Sequence, residues 1–271
     1  MRLSLLVVLV LVGASALSAP APWIPSLRAQ DSTDTDTDAD RNLEYANAQE
    51  YADCMALAQR QPEDALGSAE AWEQRGGGDA AKHCAAVALI GMEKYADAAQ
   101  RLEELGQNMP ADKAPLAAQI LAQAGIAWQS VDDYERALAA QTAAVQLAPQ
   151  DVGIRIDRST TRFFLGECWE AIDDLNEANE LAPDRPDILV FRASAYRCVE
   201  AYDLAREDID EALQLKPDDP EALLERGTLR SLAGDAEGAR ADWLKVAQDA
   251  AGTPAADAAQ MNLERLDVKA P

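Results

Sequence analysis

One sequence pattern, from which the fold is predicted, occurs three times in succession. Residues 118–151 read AQILAQAGIAWQSVDDYERALAAQTAAVQLAPQD, and residues 152–185 read VGIRIDRSTTRFFLGECWEAIDDLNEANELAPDR. Residues 186–219 read PDILVFRASAYRCVEAYDLAREDIDEALQLKPDD. Two alanines and one proline recur at one constant step, namely Ala137, Ala171 and Ala205, Ala144, Ala178 and Ala212, and Pro149, Pro183 and Pro217. A fixed period of this size is typical of stacked helical hairpins.

The pattern extends in both directions, so most of the chain is predicted to be repetitive. The predicted units are residues 46–78, 79–112, 118–151, 152–185, 186–219 and 220–253, with an insertion at 113–117 and a capping helix at 254–267. Each unit is expected to hold a helix A, a short turn and a helix B, with a proline just after helix B, where its missing N–H is tolerated. Because one hairpin cannot bury its apolar face alone, the units are expected to stack.

These residues resemble the tetratricopeptide repeat family, in its exported bacterial form. The resemblance is carried by Gly125, Trp128, Tyr134, Ala137, Ala144 and Pro149, and by Tyr196, Tyr202, Ala205, Ala212 and Pro217. Arg155 and Arg162 depart from it, because the family usually has a bulky apolar residue at these positions. The resemblance implies an all-α fold, a right-handed superhelical solenoid of about six hairpins over residues 42–267 with a C-terminal capping helix. It also implies a protein interaction scaffold.

The N-terminus has the layout of a secretory signal peptide. Arg2 precedes an apolar run from Leu3 to Val12, and small residues follow at 13–16. The run is short for a membrane span of about 20 residues, so we predict a signal peptide over residues 1–29, cleaved between 16 and 29. An uncleaved anchor is the alternative. The prediction implies a periplasmic or extracellular protein with no stable membrane anchor.

Residues 30–41 are rich in Asp and Thr and hold no apolar side chain large enough to bury. Such a composition predicts a disordered linker. Alternating aspartates also suggest a calcium loop, but the glycine and the distal glutamate of such a loop are missing from the expected register.

The charge of the chain restricts its partners. The formal net charge is −24, which repels the phosphates of nucleic acids and anionic lipids. A basic or neutral protein or peptide is the expected partner, although solubility alone would also explain the charge.

Three arginines share one repeat position, and an aspartate follows each of them at the same distance. The predicted pairs are Arg158–Asp174, Arg192–Asp208 and Arg226–Asp242. In a helical hairpin these positions face each other, so a bidentate Arg–carboxylate contact would join helix A to helix B. The alternative, a carboxylate clamp for a peptide, is disfavoured because each arginine already has a partner.

The four cysteines form two pairs with the same spacing. Cys54 precedes Cys84 by as many positions as Cys168 precedes Cys198. In an exported chain an even count suggests disulfides, and each pair is predicted to join adjacent repeats. Four buried free thiols are the alternative.

No residue pattern points to catalysis, to a cofactor or to a metal. The single histidine, His83, adjoins Cys84 but lacks further ligands for a metal site, so it is expected on a helix surface or in helix packing. The sequence has no nucleophile elbow and no Gly-rich phosphate loop. The protein is therefore predicted not to be an enzyme, and a carboxylate-only hydrolase is kept as a residual hypothesis.

The concave face, which the family resemblance implies is lined by the A helices, is the predicted partner-binding surface. It is expected to receive Gln119, Gln123, Gln129, Asp157, Thr160, Phe163, Phe164, Phe191, Ser194, Arg197 and Glu225, together with Ile126, Glu221 and Thr228. Apolar side chains rimmed by polar groups are typical of peptide grooves. Because Phe163 and Phe164 are adjacent, at least one of them is expected to pack between helices, which leaves groove and core open for this pair.

Two functions follow from the fold. The first is an exported scaffold that binds a segment of a partner protein in this groove. The alternative is a structural or assembly factor of the cell envelope that self-associates through its end repeats.

Overall fold

The protein is described by a computed structural model that covers residues 38–269 of the 271 in the chain. These residues form thirteen α-helices and one short 3₁₀ helix at Ala111–Lys113, and they contain no strand. The helices are α1 (Asp38–Ala58), α2 (Pro62–Gln74), α3 (Gly78–Gly91), α4 (Tyr95–Gln107), α5 (Ala114–Gln129), α6 (Tyr134–Leu147), α7 (Val152–Leu165), α8 (Cys168–Leu181), α9 (Pro186–Cys198), α10 (Tyr202–Leu215), α11 (Pro220–Leu232), α12 (Ala236–Asp249) and α13 (Pro254–Lys269). The all-α prediction is confirmed.

The N-terminal predictions lie mostly outside the described residues. The predicted signal peptide at 1–29 is not described, and neither is the predicted linker as far as residue 37. Helix α1 begins at Asp38, so it overlaps the last part of the predicted linker, which extends to Arg41.

The described chain divides after Thr161, inside α7, into two compact units. We call residues 38–161 the N-terminal unit and the residues from Arg162 onward the C-terminal unit. In the N-terminal unit, α1 to α6 pack in consecutive pairs, and α1 also contacts α3. In the C-terminal unit, α8 to α13 pack consecutively, while α11 also contacts α9 and α13.

The alanines that defined the repeat are the contact points between helices. Ala137, Ala171, Ala205 and Ala239 are fully buried, as are Ala144, Ala178 and Ala212. A methyl side chain lets two helix backbones approach closely, and the same phase therefore produces the same contact in successive hairpins.

A second small position receives a large side chain of helix B. A Cβ atom on Gly227 would lie 2.5 Å from Nε1 of Trp243, and one on Gly125 would lie 2.5 Å from Cγ of Gln141. Only a glycine fits in front of these two residues without a shift. The Trp243 indole N–H donates to the carbonyl of Leu224, which fixes the ring against α11.

The turn between helix A and helix B has a constant geometry. Asp132, Gly166, Glu200 and Gly234 occupy the same position in successive repeats, and all four have φ between 58° and 86°. The next N–H in each turn donates to a carbonyl at the end of helix A, for example from Asp133 to Trp128 and from Asp235 to Arg230. This is the bond that satisfies the last carbonyls of a helix ending in a left-handed residue.

Candidate functional site

Two of the three predicted Arg–Asp pairs stand in the C-terminal unit as bidentate contacts. Arg192 donates from Nε and Nη2 to Asp208 at 2.8 and 2.7 Å, and Arg226 donates in the same way to Asp242 at 3.0 and 2.7 Å. Both aspartates are buried. These pairs therefore hold helix A against helix B, and the arginines are occupied within the fold.

Further arginines, which the sequence reasoning missed, converge on the same carboxylates. Arg162 donates to Asp174 at 2.8 Å, and Arg230 donates to Asp242 at 2.8 Å over the same separation along the chain. The equal separation of these two pairs is a signal that the sequence does carry. Because Asp174 has Arg162, the loss of Arg158 would not strand it, and the pair Arg158–Asp174 stays a prediction.

The structure brings together both predicted cysteine pairs. Cys54 and Cys84 are joined by a disulfide, as are Cys168 and Cys198, and the Cα atoms of each pair lie 6.2 Å apart. The first bridge connects α1 to α3 and is surrounded by Ala69 and Ala85. Each bridge therefore fixes neighbouring hairpins to one another.

His83 occupies the centre of a buried polar chain in the N-terminal unit. Its Nδ1 lies 2.8 Å from the hydroxyl of Tyr51, and its Nε2 lies 2.9 Å from Oε1 of Gln123. Because an amide oxygen can only accept, Nε2 carries the proton and the Tyr51 hydroxyl donates to Nδ1. The chain links α1, α3 and α5, and it gives the predicted groove residue Gln123 a fixed position.

Burial determines the protonation states of the His83 and Tyr51 side chains. It lowers the pKa of His83, against the opposing effect of the hydrogen bond to Gln123, and it raises the pKa of Tyr51 to about 12. The imidazole is therefore neutral in the folded state at neutral pH, whereas the unfolded chain has a histidine of ordinary pKa, about 6.5.

We expect the stability to fall in acid through this histidine. The lowered pKa means that the unfolded state binds a proton before the folded state does, so the free energy of unfolding drops as the pH falls below about 6.5. One proton gives at most about 1.4 kcal/mol per pH unit. Urea unfolding of the wild type and of His83→Gln between neutral and mildly acidic pH measures it. His83 is the only histidine, so equal slopes in the two proteins would contradict the prediction.

The polar residues predicted for the A helices of the N-terminal unit lie at helical spacings on α5 and α7. Gln119 is exposed, and its amide donates to Asp151 at 2.7 Å. The amide of Gln129 donates to the hydroxyl of Thr161 at 2.6 Å, and Thr161 donates in turn to Gln141 at 2.6 Å. Side chains thus connect the two helices.

Asp157 and Thr160 complete this polar set on α7, and both are partly exposed. The Thr160 hydroxyl donates to the carbonyl of Ile156 in its own helix. Asp157 is different, because its carboxyl has no hydrogen bond or ion pair with any of the described residues. Burial, and then the charge of Asp151, raise the pKa of this carboxyl to about 7. We call Gln119, Gln123, Gln129, Asp157 and Thr160 the N-terminal polar face.

The three phenylalanines belong to the C-terminal unit and are all partly exposed. Because Phe163 and Phe164 are both partly exposed, neither ring is wholly in the core, and the two rings meet edge to face with centroids 6.2 Å apart. Phe191 and Ser194, close together on one side of α9, are also partly exposed. We call Phe163, Phe164, Phe191 and Ser194 the C-terminal aromatic face.

Arg197 and Glu225, also predicted to contact a partner, pair with each other. The guanidinium of Arg197 on α9 makes two hydrogen bonds to the carboxylate of Glu225 on α11. Both side chains are largely buried. Because the two charges are neutralised inside the fold, this pair is not part of the C-terminal aromatic face.

Neither a metal centre nor a membrane span was found within the part of the chain that the structure describes. No three His, Cys, Asp or Glu side chains in this part are grouped so that they could hold a metal ion. No described helix combines the length and the apolar character that a membrane span needs.

The chain resembles known proteins mainly in its fold, because the sequence identities are low. Residues 123–195 match the family model described as tetratricopeptide repeat, and no curated protein sequence matches the chain. The solved structure of pilF from Pseudomonas aeruginosa is 17% identical with a TM-score of 0.61, covering 82% of this chain and 99% of its own. That of YrrB, described as a TPR protein with an unusual peptide-binding site, is 20% identical with a TM-score of 0.53, covering 68% and 95%. A double mutant of MamA is 19% identical with a TM-score of 0.51, covering 66% and 90%.

The sequence match and the fold agree with the repeat described above. Residues 123–195 span helices of three successive hairpins, and the buried alanines continue with the same phase beyond the matched residues. Residues 123–195 thus match the tetratricopeptide repeat family, and the fold of the described residues is similar to that of a solved TPR protein, YrrB.

Proposed function

We propose that the protein is an exported scaffold that binds an extended segment of a partner protein on its A helices and carries out no chemistry of its own. The observation that carries the proposal is the exposure on these helices. Gln119, Phe191 and Ser194 are at least partly exposed although the repeat contacts around them are fully buried. Surfaces that mix aromatic and polar groups anchor peptides well, because the rings supply contact area while the polar groups set the register.

Two further observations support the proposal. The Arg–Asp pairs and the Arg197–Glu225 pair are satisfied within the fold, so the partly exposed rings of the C-terminal aromatic face are better placed than these charges to bind a ligand. In addition, the fold is similar to that of YrrB, whose structure is described as having a peptide-binding site. The net charge of −24 favours a basic or neutral partner over nucleic acid.

Export is proposed from the N-terminal sequence and from the cysteines. Residues 1–29 have the charge and apolar pattern of a signal peptide, and disulfides such as these two persist in an oxidising compartment, for example the periplasm or the extracellular space. The intact mass of the protein purified from its host would show the cleavage, and a mass that includes residue 1 would contradict it.

We expect substitutions on the C-terminal aromatic face to weaken partner capture. Photo-crosslinking from Ser194 in the native compartment, with mass spectrometry of the products, should identify a crosslinked segment in the wild type. Phe191→Asp and Phe164→Asp should each reduce its yield at least about tenfold, because a buried aromatic anchor is worth about 2 kcal/mol or more.

The matched control is Leu204→Asp, which changes an exposed apolar residue on a B helix, α10. It should leave the crosslinks unchanged. An identical set of crosslinks in all four proteins would refute the scaffold. Crosslinks only between copies of this chain, together with light scattering that increases with concentration, would favour the self-associating assembly factor instead.

A further inference from the structure

Asp157 has an equivalent residue in a later repeat, Glu225, which is paired with a positively charged side chain. Asp157 and Glu225 lie two repeat lengths apart, so they occupy the same position on an A helix. Gln129 and Arg197 also lie two repeat lengths apart, and each precedes its acidic residue by the same number of positions. The two pairs of positions are therefore equivalent, and only their side chains differ.

In the C-terminal unit this pair of positions is an ion pair. Arg197 reaches from α9 to the carboxylate of Glu225 on α11 with two hydrogen bonds. Both groups are removed from water, with exposed side-chain fractions of 17% and 9%. A carboxylate in this position is thus accommodated in the fold when a guanidinium stands opposite.

In the N-terminal unit the cation is missing. Gln129 is uncharged, and its amide donates to the hydroxyl of Thr161 at 2.6 Å, while it lies 3.4 Å from the backbone carbonyl of Asp157. The neighbouring acid, Asp151, is occupied by the backbone N–H of Ile154 and by Gln119. The Asp157 carboxyl has no hydrogen bond or ion pair with any described side chain, and the charge that acts on it is that of Asp151.

We propose that Asp157 is a specificity residue that binds a lysine or arginine side chain of the partner segment, which supplies the positive charge that Arg197 supplies to Glu225. The inference rests on the scaffold function proposed above and adds the chemistry of its ligand. A partly enclosed carboxylate gains more from a cation than an exposed one, because water screens the contact less. A metal ion would need more ligands than this single group offers.

The electrostatics of the free protein agree with an unfilled site. The pKa of Asp157 is raised to about 7 by burial and by Asp151, which means that the ionised form is disfavoured until a positive charge arrives. Such a group destabilises the free fold, and groups with perturbed pKa values cluster at functional sites.

Two peptides differing in one charge test the proposal. The probes are a short acetylated peptide of alanine, leucine and glutamine with one central arginine, and the same peptide with citrulline, the uncharged isostere, in its place. Calorimetric titration is done with the full mature chain, at a pH above the range in which Asp157 titrates. For the wild type the arginine peptide is expected to bind about tenfold more tightly, as for a hydrogen-bonded charge.

Two variants of the site remove the preference by different routes. Asp157→Asn deletes the charge, and Gln129→Arg supplies the internal cation that Arg197 provides two repeats later. Both variants should bring the ratio of the two affinities to about one. Both should also raise the melting temperature, because Asp157→Asn removes the unpaired carboxylate and Gln129→Arg gives it a partner. The matched control is Asp112→Asn, at an exposed acid that lies outside this face, and it should keep the wild-type ratio.

Three results would overturn the proposal: equal affinity of the wild type for both peptides, no binding of either, or a preference that survives in both variants. A lower melting temperature in both variants would also overturn it, since Asp157 would then have an internal partner. The scaffold function is tested separately by the crosslinks from Ser194. If those depend on Phe191 while the arginine preference is absent, the inference about Asp157 fails and the scaffold stands.

Discussion

Replacing Asp242 with alanine is expected to lower the free energy of unfolding by about 3 kcal/mol. The carboxylate of Asp242 is buried and accepts hydrogen bonds from both Arg226 and Arg230. Without it, two guanidinium groups would face each other across a cavity. Their exposed side-chain fractions are 31% and 37%, so water compensates part of the loss and the expected value lies at the low end for a broken buried pair.

Urea unfolding monitored by circular dichroism measures this effect. The control is Asp249→Ala in the same helix, α12, where the carboxylate pairs with Lys245 on the surface. Its midpoint should match that of the wild type, because solvent screens an exposed pair. If the curve of Asp242→Ala also overlaid the wild type, the clamp would have no structural role.

Removing the Cys54–Cys84 bridge is expected to destabilise the N-terminal unit by about 3–4 kcal/mol. The bridge spans a sequence separation of 30 and joins α1 to α3, so its main effect in the entropic model is to restrict the unfolded chain. The double variant Cys54→Ala with Cys84→Ala should show the loss in thermal unfolding without a reducing agent.

Reduction provides the internal control for this prediction. A thiol reductant should lower the melting temperature of the wild type, and it should change the double variant only through the remaining bridge, Cys168–Cys198. Four alkylatable thiols in the wild-type protein purified under oxidising conditions would contradict both bridges.

Both stabilising devices act at contacts within and between neighbouring hairpins. The Arg–Asp pairs recur because Arg192 and Arg226 share one position of the repeat, and Asp208 and Asp242 share another. In a stack of hairpins most contacts are made with neighbouring units, so a contact that works in one repeat is reused in the next. Local loss of one such contact is therefore expected to affect its own hairpin most.

Much of the candidate surface followed from helical spacing alone. The partial exposure of Phe191 and Ser194 was predictable, since they lie on one side of an A helix whose opposite side carries buried Leu189 and Ala193. The pairing of Arg197 with Glu225 was not predictable in the same way. Both residues lie at positions predicted to face the groove. Whether two such charged side chains contact each other or a ligand depends on how far one hairpin is rotated relative to the next.

The helices, their turns and the repeated Arg–Asp contacts inside the hairpins follow from the amino-acid sequence. A constant period places the alanines, the left-handed turn residues and the Arg–Asp pairs at the same points of successive hairpins, and these are relations between residues close along the chain. Apart from the two cysteine pairs, the side chains that meet between hairpins were identified only in the folded structure. It joined Tyr51 to His83 and Gln123, paired Arg197 with Glu225, and left Asp157 without a cation among the described residues. These contacts depend on how one repeat packs on the next, and the period of the sequence does not specify that packing.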